Sequence, residues 1–495
     1  MSIRQSIGVW VLGGLAAWLG CSIAAGSAAA QTAGAAASRA SSAEIRMADN
    51  VYLVPDPSAR AITGWLIVKA GCADEVNGQC RGIAHYLEHL LFINRDNDDR
   101  SKVAFFADGS GNGWTTHRTT VYFQRFPSRP ESNRQNLDKL LGYFAGMLSE
   151  VRAEQSQAER ERNVVLQEYQ QNTGRNPFSR FGIELSLALM PGDPLGQRVI
   201  GAPATIKAFT LETAIEFHDR WYARNNMAIV LHGPIDKASV EPLIARHISA
   251  LPEKPIPPHD WKRPRHYEAG SQFLRTTEKD ARQTGLFLDR IVTIDESDGQ
   301  RMENDAALSV LGGFLASRLA GSPGEVLIER DNLVTDARLS LGRVRTGTFR
   351  ISFSGAPSSG VDPEKALDAA RVYIAELARK GLTSDVIDRL KMRIRNERAL
   401  LAQQPALYAQ ALTNWLSAHY EHDAWLERGR LLETVTAASV NRMLSLVAGS
   451  GREVTGVLLP GAGEIAGGQP GSFGGASPTP AETLPQHAAG TIHTP

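Results

Sequence analysis

The chain has 495 residues, 42% of them hydrophobic and 21% charged, a length that exceeds one ordinary core and predicts two or more domains. Its 53 Lys and Arg balance 53 Asp and Glu, so charge implies no polyanionic partner and argues against nucleic acid.

Arg4, an apolar run from Ile7 to about Ala25, and Ser27 to Ala30 predict a secretory signal peptide over residues 1–30. Export to the periplasm is then expected. The alternative is a membrane anchor, because the apolar run is long enough to span a bilayer. Trp18-Leu19-Gly20 is a poor lipoprotein processing sequence ahead of Cys21, so lipidation of Cys21 is not favoured. Removal of the signal leaves Cys72 and Cys80 flanking a short polar loop, and an exported compartment permits a disulfide between them.

A small-residue linker over 31–44 precedes a first domain expected over 45–251. Asn50–Pro55 and Ala61–Ala70 read as strands, and Gly113–Phe126 alternates as one long strand. Ser101–Asp108, Asn136–Glu150 and Ser156–Asn172 read as helices, Asn176–Arg220 as mixed, and Met227–His232 as a buried strand.

Between the first strands and Ser101 lies His85-Tyr-Leu-Glu-His89, an H-x-x-E-H pattern. On a helix, His85 and His89 stand four residues apart and point the same way, with Glu88 on the same side. Two imidazoles one turn apart can share a Zn²⁺, and a catalytic zinc takes three protein ligands and keeps a position open for water. Glu88, beside a ligand, is placed to act as general base. A third ligand must come from elsewhere, and Glu161 and Glu168 lie seven residues apart, two turns along one helix face. One of them can bind the metal while the other holds a ligand imidazole. Taken alone, the pair would read as a solvated face of an Arg/Glu-rich helix.

Five prolines within Pro252–Pro264 mark a linker, placed at 252–266, and a second domain is expected over 267–460. It reads as a second copy of the first. Thr63-Gly-Trp-Leu66 recurs as Thr284-Gly-Leu-Phe287, and Leu137, Tyr143, Ala145 and Leu148 recur as Leu367, Tyr373, Ala375 and Leu377. The second copy carries no H-x-x-E-H, so one metal site per chain is expected. Residues 461–495 are rich in Gly, Pro, Ala, Ser and Thr and read as a disordered tail.

These residues resemble a family, the zinc metallopeptidases that include pitrilysin, insulin-degrading enzyme and mitochondrial processing peptidase. The likeness runs from about Asn50 to Leu459. It rests on Gly71 and Glu75, on Gly82-x-Ala-His-x-Leu-Glu-His89 with Phe92, and on Asn112, Thr115, Thr120 and Tyr122. Further matches are Glu161 and Glu168, Asp193-Pro-Leu-Gly196 with Gly201, and Phe217-His-x-x-Trp-Tyr222 with Asn225-Asn226.

The resemblance implies an α+β fold of two homologous α/β-sandwich halves, as in mitochondrial processing peptidase. It implies Zn²⁺, one per chain, on His85, His89 and Glu168, with Glu88 as base and Glu161 as supporting carboxylate. The spacer between His89 and Glu168 is slightly long, a difference the loop at Pro127–Asn133 can absorb. The strand at Asn112 and Gly113 would pair with the backbone of an extended peptide substrate, which gives broad sequence tolerance. Such chains pair to enclose a chamber.

One departure bears on partners. Active relatives usually carry an Arg and, seven residues on, a Tyr in the second half, and here Ile328 and Thr335 fall at those places. Arg330 or Arg338 could substitute if the alignment slips. The expected protein is thus a zinc endopeptidase or oligopeptidase, the metal-bearing subunit of a heterodimer whose related partner supplies the Arg and Tyr. A homodimer is the other assembly, and a non-catalytic scaffold subunit of the same fold is the alternative function.

Overall fold

The computed structural model describes residues 44–93, 110–418 and 421–461. The expected signal peptide, the Ser101–Asp108 helix and the tail beyond Gly461 lie outside them.

Among the described residues, six strands make the first sheet: β1 (Ile45–Arg46), β2 (Val51–Pro55), β3 (Ala61–Val68), β4 (Ser110–Thr115), β5 (Thr120–Pro127) and β6 (Met227–Gly233). Five make the second: β7 (Gly270–Glu278), β8 (Gly285–Thr293), β9 (Val334–Arg345), β10 (Thr348–Pro357) and β11 (Arg452–Pro460). The strand orders are β1-β2-β6-β3-β5-β4 and β7-β11-β8-β10-β9. With β1 set aside, the two orders superimpose, and in each the last strand in sequence pairs in parallel with the first, β6 with β2 and β11 with β7. The chain is α+β with two homologous halves, and the repeats read from sequence fall on equivalent elements. Thr63–Leu66 lies in β3, and Gly285–Phe287 opens β8.

The helices of the first half are α1 (Ile83–Phe92), α2 (Asn133–Ser149), α3 (Gln155–Tyr169), α4 (Pro177–Leu189), α5 (Pro203–Lys207), α6 (Leu211–Trp221) and α7 (Lys237–His247). Those of the second are α8 (Asp298–Leu315), α9 (Pro363–Lys380), α10 (Ser384–Gln403), α11 (Pro405–Ser417), α12 (His422–Thr434) and α13 (Ala437–Ala448). Leu137, Leu140, Leu141, Phe144 and Leu148 repeat at helical spacing along α2 and are buried against the first sheet. Leu367, Ala370, Ile374 and Leu377 do the same in α9.

Each half lends a helix to the other's sheet. Phe181, Leu185 and Leu189 of α4 pack on Ile291, Val454 and Leu458 of the second sheet. Ala409, Leu412 and Leu416 of α11 pack on Tyr52, Trp65, Ile67 and Val230 of the first. Covered on both faces, β3 is buried at every position, which is why its sequence is a continuous apolar run instead of an alternation.

Three readings need correction. The long strand expected over Gly113–Phe126 is a hairpin, β4 and β5, reversed at Thr116–Thr119. The Thr116 N–H donates to the Thr119 carbonyl at 2.8 Å, and period-two alternation runs through such a tip unbroken. The mixed stretch Asn176–Arg220 is mainly helical. The helix expected over Ser156–Asn172 ends at Tyr169 and continues as a π-helical turn over Gln170–Gly174.

The proline-rich stretch is packed rather than free. His259 stacks on Trp221 with ring centroids 5.0 Å apart, and buried Trp261 donates from Nε1 to Asp74 at 3.0 Å.

Candidate metal centre

α1 starts at Gly82, whose φ of 100° suits glycine, and a Cβ there would lie 2.3 Å from the Ile200 carbonyl oxygen. Beneath this start the buried Glu75 carboxylate accepts the N–H groups of Arg81, Gly82 and Ala84 at 2.7, 3.2 and 3.0 Å. It thereby satisfies donors that a first helical turn cannot satisfy internally. Burial pushes Glu75 up to about 8 against the pull of those donors.

From this anchored helix His85, Glu88 and His89 project together, and α3 packs across them, carrying Glu161 and Glu168. Glu168 Oε2 lies 3.7 Å from His85 Nε2 and 3.5 Å from His89 Nε2. His89 Nδ1 lies 3.2 Å from Glu161 Oε2. Ligand atoms bonded at about 2.0–2.1 Å around a tetrahedral zinc stand about 3.3–3.4 Å apart. The two distances from Glu168 Oε2 are close to that spacing already, and one donor atom from each of the three residues lies within 4.8 Å of the others.

The donor set fits a divalent cation on a second count. Glu168 Oε2 is buried and has no hydrogen-bond partner, a deficit worth about 1–3 kcal/mol or more for a charged group. A cation at the point of convergence would remove it. His85 Nδ1 is also buried without a partner.

The protonation pattern is uneven. Burial lowers His85 to about 4 against the attraction of Glu168, so this imidazole is neutral with a lone pair to give. Burial also disfavours the His89 cation, but the neighbouring Glu161 and Glu168 carboxylates outweigh it and raise the group to about 10. For Glu168, burial acts upward, yet the two histidines carry its carboxyl below the usual value. Burial raises Glu88 to about 7, opposed by His89 and Thr115. Three carboxylates therefore face two imidazoles, a cluster short of positive charge.

Glu88 is aimed from the other side. Its Oε2 accepts from Thr115 Oγ1 at 2.6 Å. Gly113, on the same strand β4, lies so close that a Cβ would stand 3.0 Å from Glu88 Oε1 and 2.9 Å from the Phe92 ring. Asn112 Oδ1 accepts the Gly113 N–H at 2.9 Å. β4 ends its sheet and is paired, among the described residues, only with β5.

Cys72 and Cys80 form a disulfide across the loop that carries Glu75. Ile328 lies in the π-helical stretch Gly324–Arg330, and Thr335 lies in β9, where its hydroxyl donates to the Ala356 carbonyl at 3.5 Å. Arg330 is exposed and held by both oxygens of Asp331 at 2.8 and 3.0 Å. The sequence assigned no role to Thr115 or Glu75, because neither contact follows from spacing along the chain.

Comparison with known proteins fits this geometry. Residues 50–200 match the family Insulinase (Peptidase family M16), and residues 208–394 match the Peptidase M16 inactive domain. The chain belongs to peptidase family M16. The division agrees with an H-x-x-E-H in the first half and none in the second.

This M16 chain is 28% identical over 258 residues to an uncharacterized zinc protease of Rickettsia felis, covering 51% of this chain and 59% of the relative. It is 25% identical over 357 residues to the probable zinc protease PqqL of Escherichia coli, covering 66% of this chain and 35% of that one. It is 24% identical over 334 residues to the zinc protease PqqE of Helicobacter pylori, covering 66% and 72%. The chain thus spans little more than half of the first relative and about a third of the second.

A solved protease from Helicobacter pylori superimposes with a TM-score of 0.70 at 20% identity, covering 84% of this chain and 99% of that one. The periplasmic protease PqqL from Escherichia coli superimposes at 0.67 and 19% identity, over 84% and 47%. These two share the fold. Among the described residues no helix is long and apolar enough to cross a membrane.

Proposed function

We propose that this chain is a zinc-dependent endopeptidase or oligopeptidase acting on extended peptides in an exported compartment. The observation that carries the reading is the convergence of His85 Nε2, His89 Nε2 and Glu168 Oε2, with Glu88 alongside.

His85, His89 and Glu168 would hold the ion, and Glu161 would fix the His89 ring through Nδ1. When bound, the ion supplies Lewis acidity, polarising a peptide carbonyl and lowering the pKa of a nearby water. Thr115 holds Glu88 Oε2, which leaves Oε1 to take the proton of the attacking water and return it to the departing amine. The outer edge of β4, near Asn112 and Gly113, offers main-chain donors and acceptors to a substrate strand.

Ile328 and Thr335 cannot donate as an Arg and a Tyr do, so we assign this chain the metal-bearing role in a pair with a related subunit. The same two residues favour a second reading, a non-catalytic scaffold of the same fold.

The test is the initial rate on a long, unstructured quenched-fluorescent peptide, with and without chelator, for the chain alone and with its related subunit. Chelator-sensitive cleavage supports the peptidase, and faster cleavage by the pair supports the heterodimer. A zinc-loaded chain silent in both forms would leave the scaffold.

A further inference from the structure

A second group of soft donors lies beside the loop that anchors α1. Cys72 Sγ, Cys80 Sγ and a ring nitrogen of His117 lie within 4.8 Å of one another. Both cysteines are buried, Cys72 completely and Cys80 to 7% exposure, and in this structure their sulfurs are joined.

The position of His117 is built by backbone pairing. The hairpin tip at Thr116–Thr119 receives the N–H of Cys72 on the Thr116 carbonyl at 3.1 Å and the N–H of Ala73 on the His117 carbonyl at 2.9 Å. Gln197 ties the other side. Its backbone carbonyl accepts His117 Nε2–H at 2.8 Å, and its side-chain Oε1 accepts the Cys80 N–H at 2.9 Å. Because a carbonyl can only accept, Nε2 carries the proton and Nδ1 keeps a lone pair in the neutral ring. With Nδ1 as the ligand atom, the Nε2–H donation to a backbone carbonyl would be the arrangement usual for a metal-binding imidazole.

We infer that Cys72, Cys80 and His117 form a second, reduction-gated site for a thiophilic divalent cation such as Zn²⁺, separate from the His85–His89–Glu168 cluster. Two electrons and two protons from a dithiol convert the disulfide to two thiols, and the dithiol leaves as a disulfide. Binding of the cation then displaces the two thiol protons, because thiolate is the ligand. Two sulfurs and one imidazole suit zinc and leave one coordination position for water. Either the S–S bond or the cation closes the loop around Glu75, so the cap beneath α1 is held in both redox states.

Cobalt(II) reads this site without reference to activity, because thiolate-to-cobalt charge transfer absorbs in the near ultraviolet and a His₂Glu set has no thiolate. The full chain is titrated with Co²⁺ after treatment with a phosphine reductant, and again without reduction, with folding followed by circular dichroism. The reduced protein is expected to take up one more cobalt than the oxidised protein and to develop the charge-transfer band. That band should vanish in Cys72→Ser and Cys80→Ser, weaken in His117→Ala, and persist in His85→Ala. Its persistence in His85→Ala keeps this result independent of the proposed peptidase centre. No band in folded, reduced wild-type protein, or an undiminished band in Cys72→Ser, would overturn the site.

Discussion

Glu88 is the residue on which the proposed chemistry turns, and its surroundings separate proton transfer from metal holding. Glu88→Gln keeps the Thr115 contact and removes the base. It is expected to lower kcat by about 10²- to 10⁴-fold in the assembly that turns over, with bound metal unchanged. Peptide cleavage and metal content measured on one sample check both halves of that statement. Glu161 meets the outer nitrogen of His89 at 3.2 Å. Glu161→Gln should therefore weaken metal affinity by about 10- to 100-fold rather than abolish binding, as read by competition with a chromogenic chelator. At this scale the H-x-x-E-H was legible because its geometry is local, fixed by one helical turn. Thr115 and Glu75 reach their partners across 27 and 9 positions of chain, so the sequence named them without showing what they do.

Among the elements, α1 matters most, held by Glu75 below and by the Cys72–Cys80 bridge beside it. Replacing both cysteines with serine in metal-free buffer should cost about 2–4 kcal/mol in denaturant unfolding. Helix α11 has a different task, covering the back of the first sheet from the second half of the chain. Leu412 at its centre is fully buried, so Leu412→Ala should cost about 2–5 kcal/mol in the same unfolding measurement. In the first half the sequence revealed strands and helices where an apolar pattern was continuous. It missed the reversal between β4 and β5, where alternation passes through the turn, and the helices of 177–221, whose short segments break the period. The proline-rich stretch has the composition of a spacer, yet Trp261 and His259 dock it onto Asp74.

For the whole molecule, the duplication was legible because order survives when identity fades. The matching strand orders of the two sheets are its structural expression. The mutual loan of α4 and α11 was not legible, since each helix lies within its own half in sequence and packs on the other. The metal cluster is assembled entirely within the first half, and this makes the central claim testable without a partner subunit. The direct measurement is the zinc content of the oxidised, full-length chain after exhaustive dialysis. One zinc per chain is predicted for wild type and for Glu88→Gln, and none for His85→Ala, His89→Ala or Glu168→Ala, each checked for folding. Zinc retained in full by those three folded variants would contradict the account, as would a wild-type chain that binds no zinc.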